Sequence, residues 1–201
     1  MLKVALTGGI ATGKSHVARR LRERGIPVID SDALAHGVMA AGTEATAAIA
    51  ARFGPDVLGS DGSVNRAKLG PIVFADSTAR RDLEAIVHPA VYRAITAAIR
   101  GFERTSDALM VVVDIPLLFE TGRASEFDQV IVTVCDPGTQ IKRLMERGLS
   151  EEAARQRLAA QLPAEAKAAR ADFVIRTDGT FEETDRCVVE VVKKLESDRR
   201  V

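Results

Sequence analysis

A glycine-rich run near the start of the chain has the residue types and the spacing needed to bind phosphate. Gly8-Gly9-Ile10-Ala11-Thr12-Gly13-Lys14-Ser15 fits the pattern G-x-x-x-x-G-K-[ST] without a mismatch. In such a run, glycines let successive backbone N–H groups turn inward around phosphate oxygens, and a following helix adds the positive end of its dipole. We therefore expect Lys14 to reach the β- and γ-phosphates of a nucleoside triphosphate and Ser15 to offer its hydroxyl to Mg²⁺.

The residues on both sides of this run favour a binding loop over a plain turn. Residues 2–7 have the pattern of a short buried strand, and residues 17–22 that of an amphipathic helix. A glycine turn that binds nothing is the alternative, but Lys14 and Ser15 at the helix start argue against it. The sequence thus predicts a strand, a phosphate-binding loop and a helix in that order.

Three aspartates lie at the C-terminal ends of strand-like runs or just after them. Asp30 and Asp32 follow the second run, where ligand-binding residues of parallel α/β sheets gather. Asp32 at this position could accept a proton from an acceptor hydroxyl or orient it, whereas the alternative is helix capping by Asp30 or Ser31. Asp114 ends an apolar run at 109–114, and an aspartate in this position can hold Mg²⁺, often through water.

Arginines and a histidine further along the chain complete the candidate site. Arg143 and Arg147 are four residues apart, so they share one helix face and could close over a triphosphate to neutralise charge. The alternative is a solvated face paired with nearby glutamates. His88-Pro89 joins two helical patterns, and it marks either a helix break at Pro89 or a histidine that contacts the acceptor.

Apolar runs define the strands that must position these residues. Runs rich in Val and Ile occupy residues 3–7, 27–30, 109–114, 129–135 and 172–176. They do not alternate with polar residues, which indicates that both faces of the sheet are covered and that the strands are parallel. We predict an α/β fold with a five-stranded parallel sheet flanked by helices.

Helical patterns are unevenly distributed between the strands. Those at residues 44–53, 66–74, 78–87 and 89–102 all fall between the second and third strands, which predicts an all-helical insertion at 31–104. A second insertion at 140–170 is dense in Arg, Lys and Glu and is predicted to be a mobile helical lid. The remaining segments, 1–30, 105–139 and 171–201, are predicted to form the nucleotide-binding core.

Composition bounds the class of protein. Hydrophobic residues make up 46%, and Lys+Arg equals Asp+Glu at 28 each, so we expect a normal globular core and no nucleic-acid partner. Cys135 and Cys187 have no metal-ligand spacing and are expected to be buried thiols. Apolar runs are too short for a membrane span and the N-terminus enters the first strand at once, so we expect a cytoplasmic enzyme without a membrane partner.

Taken together, these segments resemble the dephospho-CoA kinase family over nearly the whole chain. The most specific segment is Asp114-Ile115-Pro116-Leu117-Leu118-Phe119-Glu120. The resemblance implies the P-loop NTPase fold with a helical acceptor-binding insertion and a helical lid. It also implies transfer of the γ-phosphate of ATP, with Mg²⁺, to the ribose 3′-hydroxyl of dephospho-CoA. The other matching segments are residues 6–15, Asp30-Ser31-Asp32, Asn65-Arg66, His88-Pro89, Arg143-Leu144 with Arg147, Gln161-Leu162-Pro163 and Ala171-Asp172.

The same resemblance assigns roles to single residues. It makes Asp32 the base or orienting group, Arg143 the lid arginine and Arg147 a second candidate. It also places Arg66 and His88 on the acceptor side.

The chain departs from the family pattern at several positions. Ala11 replaces a common glycine, but its backbone N–H remains, so phosphate binding should survive if φ is negative there. The other departures are His16 for the usual threonine, Asn65 for the usual aspartate and Arg176-Thr177-Asp178 for a more Asn-rich stretch.

Two other functions fit part of the pattern. A nucleoside or nucleotide kinase agrees in size and organisation but leaves the segment 114–120 unexplained. A nucleotide-dependent switch or binding module fits the phosphate loop alone. The sequence has no guanine-reading N-K-x-D element, and a switch has no use for the added carboxylates and arginines. We therefore expect phosphoryl transfer.

Overall fold

The computed structural model describes residues 1–198 of the chain. Its five strands lie close to the predicted runs; they are β1 (Leu2–Gly8), β2 (Val28–Asp30), β3 (Met110–Asp114), β4 (Gln129–Val134) and β5 (Phe173–Arg176). The order across the sheet is β2-β3-β1-β4-β5, and the pairs β1–β3, β1–β4 and β4–β5 are parallel. The predicted α/β class is confirmed.

The helices found within residues 1–198 alternate along the chain with the strands of this sheet. Helices α2 to α5 fall between β2 and β3, which confirms the helical character predicted for that segment. In chain order the helices are α1 (Lys14–Glu23), α2 (Ser31–Val38), α3 (Glu44–Phe53), α4 (Arg66–Ala75), α5 (Ser77–Thr105), α6 (Pro137–Glu146), α7 (Glu151–Ala159), α8 (Ala164–Ala168) and α9 (Phe181–Asp198).

Burial explains why the strands show no polar alternation. β3 is buried along its whole length, and β4 is buried beyond its first residue. Helices α1 and α9 pack on one face of the sheet. The side chains on the opposite face of the central strands, among them Val111, Val113 and Val132, are buried as well, so both faces are covered. From these two helices the core takes Val17, Ala18, Leu21, Val188, Val191, Val192 and Leu195.

The chain forms two compact units. The first comprises residues 1–29 and the chain from Phe102 onward, and the second comprises Asp30–Gly101. The first unit contains the phosphate loop and the core just described. The second unit has an apolar core of its own, built from Ile49, Val57, Val64 and Leu69 with Leu83, Ile86 and Val87 packed against them.

The long helix α5 differs from the sequence prediction. The sequence predicts separate helices on either side of Pro89, but α5 runs unbroken with Pro89 inside it. A proline inside a helix loses a backbone hydrogen bond and costs about 3 kcal/mol. The helix continues because its second half is anchored by buried Ala90, Val91, Ile95 and Ile99. The interpretation of Pro89 as a helix break is therefore wrong.

Helix α6 begins at a side-chain cap, as its sequence predicts. Asp136 accepts hydrogen bonds from the hydroxyl of Thr139 at 2.6 Å and from its backbone N–H at 2.9 Å. These bonds, the hydroxyl first, lower the pKa of Asp136 to about 2. Pro137 follows at the first helical position. The start of α6 is thereby set directly after β4.

Candidate active site

Two glycines of the phosphate loop are needed for different reasons. A Cβ atom at Gly8 would lie 2.1 Å from the hydroxyl oxygen of Thr133, so β1 and β4 approach too closely there for any side chain. Gly13 has a φ of +80° immediately before α1, a conformation that glycine adopts without strain. The chain can therefore turn sharply out of β1, and the N-terminus of α1 forms one side of the loop.

Ala11 adopts a left-handed backbone conformation. Its φ is +58°, and within residues 1–198 it is the one residue other than glycine with a positive φ. The negative φ on which the sequence argument depends is therefore not found. For an L-residue this conformation costs about 1 kcal/mol. The methyl group packs with Leu144 and Ala154, a contact that glycine would lack.

Buried threonine hydroxyls tie the loop to its surroundings. Thr12 Oγ1 donates to the Gly9 carbonyl at 2.8 Å and lies 2.8 Å from Thr133 Oγ1. Thr177 Oγ1 donates to the Thr12 carbonyl at 2.9 Å. Thr177 therefore supports the loop from the end of β5.

Arg143 lies against the loop and not on a solvated helix face. Its guanidinium donates to the Ala11 carbonyl at 3.1 Å, to the Thr177 hydroxyl at 3.1 Å and to the Thr177 carbonyl at 2.5 Å. The solvated-face interpretation is therefore wrong for Arg143. Arg147 is exposed at the C-terminal end of α6. A contact of either arginine with the phosphates stays a prediction.

Two glutamines, neither of them among the predicted site residues, contact the same part of the loop. Gln140 Nε2 donates to the Ile10 carbonyl at 2.6 Å, and Gln161 Oε1 accepts from the Ile10 N–H at 2.8 Å. The partners are far apart in sequence, so no local pattern indicates these bonds. The available signal is weak: Gln140 lies three residues before Arg143, on the same side of α6.

Lys14 and Asp114 form an ion pair. β1 and β3 are neighbours in the sheet, so the end of β3 lies beside the loop that follows β1. Ser15 is exposed in the first turn of α1. Mg²⁺ prefers oxygen ligands and binds through one or two protein groups together with substrate phosphates. The Ser15 hydroxyl and the Asp114 carboxylate are groups of this kind, so the residues fit the ion.

The segment 114–120 is fixed at both ends. Asp114 pairs with Lys14, and at the other end Glu120 forms an ion pair of 2.8 Å with Lys167 of α8. The side chain of Lys167 is fully buried, and its ammonium also donates to the Pro116 carbonyl at 3.2 Å. The segment therefore links the phosphate loop to α8.

The ring of His16 joins α1 to α9. It stacks on Phe181 with ring centres 4.7 Å apart, and its Nε2 lies 2.8 Å from Asp185 Oδ1. Its Nδ1 lies 2.9 Å from the Arg19 guanidinium. Because an arginine only donates, Nδ1 accepts and the ring proton is on Nε2.

In the second unit, Asp30 and Asp32 have different environments. The Asp30 carboxylate accepts from the N–H groups of Asp32 at 2.9 Å and Ala33 at 3.1 Å, so it caps α2. The capping interpretation is confirmed for Asp30. Asp32 is exposed in the first turn of α2. Asp32 is therefore the better candidate to meet an acceptor.

Arg66 is held by a histidine that the sequence analysis missed. The Arg66 guanidinium donates to His36 Nε2 at 2.8 Å. His36 lies four residues after Asp32, so the two share one face of α2. This spacing is the signal that could have pointed to His36.

Asn65 and His88 have simple structural settings. Asn65 caps α4 by accepting from the N–H groups of Ala67 and Lys68, which asparagine does as well as aspartate. His88 is exposed on α5. The approach of Asp32, Arg66 and His88 to the phosphate loop stays a prediction.

The sheet order, the glycine loop between β1 and α1, and the aspartate at the end of β3 define a P-loop NTPase fold. A sequence model of the dephospho-CoA kinase family matches residues 2–183. The chain belongs to the dephospho-CoA kinase family.

Similar proteins agree with this assignment. The dephospho-CoA kinase of Geobacillus kaustophilus (strain HTA426) is 47% identical over 98% of this chain and 98% of its own. A solved dephospho-CoA kinase from Campylobacter jejuni is 28% identical over 98% of both chains, with a TM-score of 0.74. The structure of TT1252 from Thermus thermophilus is 33% identical over 96% of this chain and 97% of its own, with a TM-score of 0.81. Among residues 1–198, no helix is both long and apolar enough to cross a membrane.

Proposed function

We propose that this chain transfers the γ-phosphate of ATP to the ribose 3′-hydroxyl of dephospho-CoA, giving coenzyme A and ADP. The observation that carries the proposal is the phosphate loop with its Lys14–Asp114 pair in a chain of this family. The loop supplies a donor site, and family membership supplies the acceptor.

On the donor side, the loop residues 9–15 bind the phosphates. The Lys14 ammonium leaves Asp114 for the β- and γ-phosphate oxygens, where its charge stabilises the transferred group. Ser15 and Asp114 would hold Mg²⁺, which would neutralise phosphate charge when bound with the nucleotide. Arg143 and Arg147 lie near the C-terminal end of α6 and are the candidates to supply further positive charge to the phosphates.

On the acceptor side, Asp32 takes the proton of the 3′-hydroxyl. The oxygen forms a bond to the γ-phosphorus while the bond from that phosphorus to the β–γ bridging oxygen breaks, and ADP leaves. Arg66, oriented by His36, binds an anionic group of the acceptor. His88 contributes a further polar contact from α5.

The rest of the chain suits a small-molecule enzyme in the cytoplasm. Cys135 and Cys187 are free thiols, as is usual in a reducing compartment. The net charge of zero gives no basic excess for a nucleic-acid partner.

A coupled assay of ADP formation tests the proposal. The enzyme is given ATP, Mg²⁺ and either dephospho-CoA or one of the common nucleoside monophosphates, and the phosphorylated position is read by ³¹P NMR. We expect turnover with dephospho-CoA and a 3′-phosphate in the product. Turnover confined to a nucleoside monophosphate would show that the chain is a nucleotide kinase instead.

A further inference from the structure

We propose that Gln140, Arg143 and Gln161 form a polar brace that holds Ile10 and the left-handed Ala11 of the phosphate loop in place, and that Gln161 is a positioning residue for the donor phosphates. The inference rests on the proposed function only in taking ATP as the donor.

The brace contacts consecutive peptide groups. The N–H of Ile10 is bound by Gln161 at 2.8 Å, the carbonyl of Ile10 by Gln140 at 2.6 Å, and the carbonyl of Ala11 by Arg143 at 3.1 Å. The carbonyls of Ile10 and Ala11 belong to the peptide planes on either side of the Ala11 Cα atom. Gln140 and Arg143 therefore fix both backbone dihedrals of Ala11, whereas Gln161 fixes the peptide plane before Ile10 and so keeps the Ile10 carbonyl in place for Gln140.

The brace matters because residue 11 is an alanine. Its φ of +58° is a conformation that glycine adopts readily and alanine does not. If the brace is removed, the alanine is expected to relax toward a negative φ. The N–H of Thr12, which donates to the Gly9 carbonyl at 3.3 Å, then changes direction, and the loop loses the turn that arranges it around phosphate.

Gln161 is the member of the brace that can be changed with least disturbance. Gln140 is 2% exposed, and Arg143 also binds Thr177. Gln161 is half-buried in the short segment between α7 and α8. Its role in the loop rests on one hydrogen bond to the Ile10 N–H.

The test is a double-mutant cycle between residues 161 and 11. The variants are Gln161→Met, Ala11→Gly and the pair, with Gln161→Ala beside them as a second way to remove the amide. ATP affinity is measured by calorimetry without acceptor, and KM for both substrates is measured in the assay. Gln156→Met on the exposed side of α7 is the matched control.

If the brace exists, the loss of ATP affinity caused by Gln161→Met depends on whether residue 11 is alanine or glycine. Gln161→Met should weaken ATP binding about tenfold when residue 11 is alanine, as expected for one lost hydrogen-bond anchor, and about threefold or less when it is glycine. Gln161→Met should leave KM for dephospho-CoA and the melting temperature unchanged. The Gln156→Met control should keep the wild-type ATP affinity.

Two results would overturn the brace. One is an equal loss of ATP affinity in the alanine and glycine backgrounds, and the other is unchanged ATP affinity in both Gln161 variants. Because ATP binding is measured without acceptor, either result would bear on the brace alone and not on the proposed function. If ATP binding follows the predicted cycle but dephospho-CoA is not phosphorylated, the brace stands and the proposed acceptor is wrong.

Discussion

In the phosphate loop, backbone groups are held by side chains from α6, the end of β5 and the segment before α8, and the Thr12 hydroxyl is held by Thr133 of β4. Most of these side chains are buried. In the second unit, Asp32, Arg66 and His88 are exposed on helices, and Arg66 is held by an exposed histidine. The candidate donor site is therefore formed by the fold itself, whereas the candidate acceptor residues lie exposed on helices.

This difference separates the effects expected from mutations. A loop held by many buried bonds is ordered before its ligand arrives, so its residues act on nucleotide binding and on catalysis together. Exposed side chains on α2 and α4 make few contacts in the folded chain. Changes at these positions should alter turnover or acceptor binding and leave ATP affinity and stability nearly unchanged.

Asp32→Asn gives the largest expected effect. Loss of the proton acceptor should lower kcat about 10²- to 10⁴-fold, because general-base catalysis contributes about that much. ATP affinity by calorimetry should stay at the wild-type value, since only the acceptor side is changed. Asp56→Asn, another exposed carboxylate of the second unit, is the control. Wild-type turnover in Asp32→Asn would remove Asp32 from the reaction.

Lys14→Ala should be nearly as damaging, but in a different way. Its ammonium binds the phosphates in both the ground state and the transition state, so ATP binding and kcat should both fall, kcat by about 10²- to 10³-fold. Steady-state kinetics together with calorimetry measure the two effects. A variant with unchanged ATP affinity would contradict the loop assignment and the contrast between the two regions.

The ion pair between Glu120 and Lys167 gives an asymmetric stability prediction within the donor unit. Lys167 has a fully buried side chain and Glu120 is 27% exposed. Glu120→Leu leaves a buried ammonium without its carboxylate and should cost about 3 kcal/mol of unfolding free energy. Lys167→Met leaves a carboxylate that can reach water and should cost about 1 kcal/mol or less. Urea denaturation measures both, and equal losses would show that burial does not decide the cost.

Arg66→Met should have a moderate effect confined to the acceptor. Removing a charged hydrogen-bond donor should raise KM for dephospho-CoA about tenfold and leave kcat within about twofold. Arg52→Met is the matched control, because Arg52 is an exposed arginine of the same unit that pairs with Asp82. An equal rise of KM in both variants would show a general charge effect, not a specific acceptor contact.

Local sequence patterns predicted the fold well because its strands and caps depend on local chemistry. The apolar runs marked every strand of the sheet, and the Asp136-Pro137 pair marked the start of α6. Pro89 was misjudged because packing of α5 outweighs a local breaking signal. For the same reason the condition of a negative φ at Ala11 is not met, since a tertiary hydrogen bond contacts a backbone segment whose conformation alanine alone disfavours.

The candidate site could be predicted only in part. The phosphate loop carries its chemistry in consecutive residues, so its pattern is visible in the sequence. The contacts of Gln161 and Thr177 with the loop join distant parts of the chain, and no periodicity or spacing encodes them. His36 lies between these cases: the helical spacing from Asp32 was present, but an isolated histidine carried no further signal.

The smallest expected effect concerns a hydrogen-bond motif that occurs in both regions, an aspartate that accepts from a nearby Ser or Thr. Asp136 in the donor unit and Asp61 in the second unit each accept from the hydroxyl and backbone N–H of a residue two or three positions later, and these bonds lower the pKa of both carboxyls. Thr139→Val should raise the pKa of Asp136 from about 2 toward the ordinary value of 3.8 and leave Asp61 unchanged. Because a lowered carboxyl pKa stabilises the fold above the ordinary value, this contribution is lost as pH falls through about 2 in the wild type and at a higher pH in the variant. NMR titration of the ¹³C signals of the two side-chain carboxyl groups measures both pKa values. An unchanged titration midpoint of Asp136 would show that the Thr139 hydroxyl does not stabilise the cap of α6.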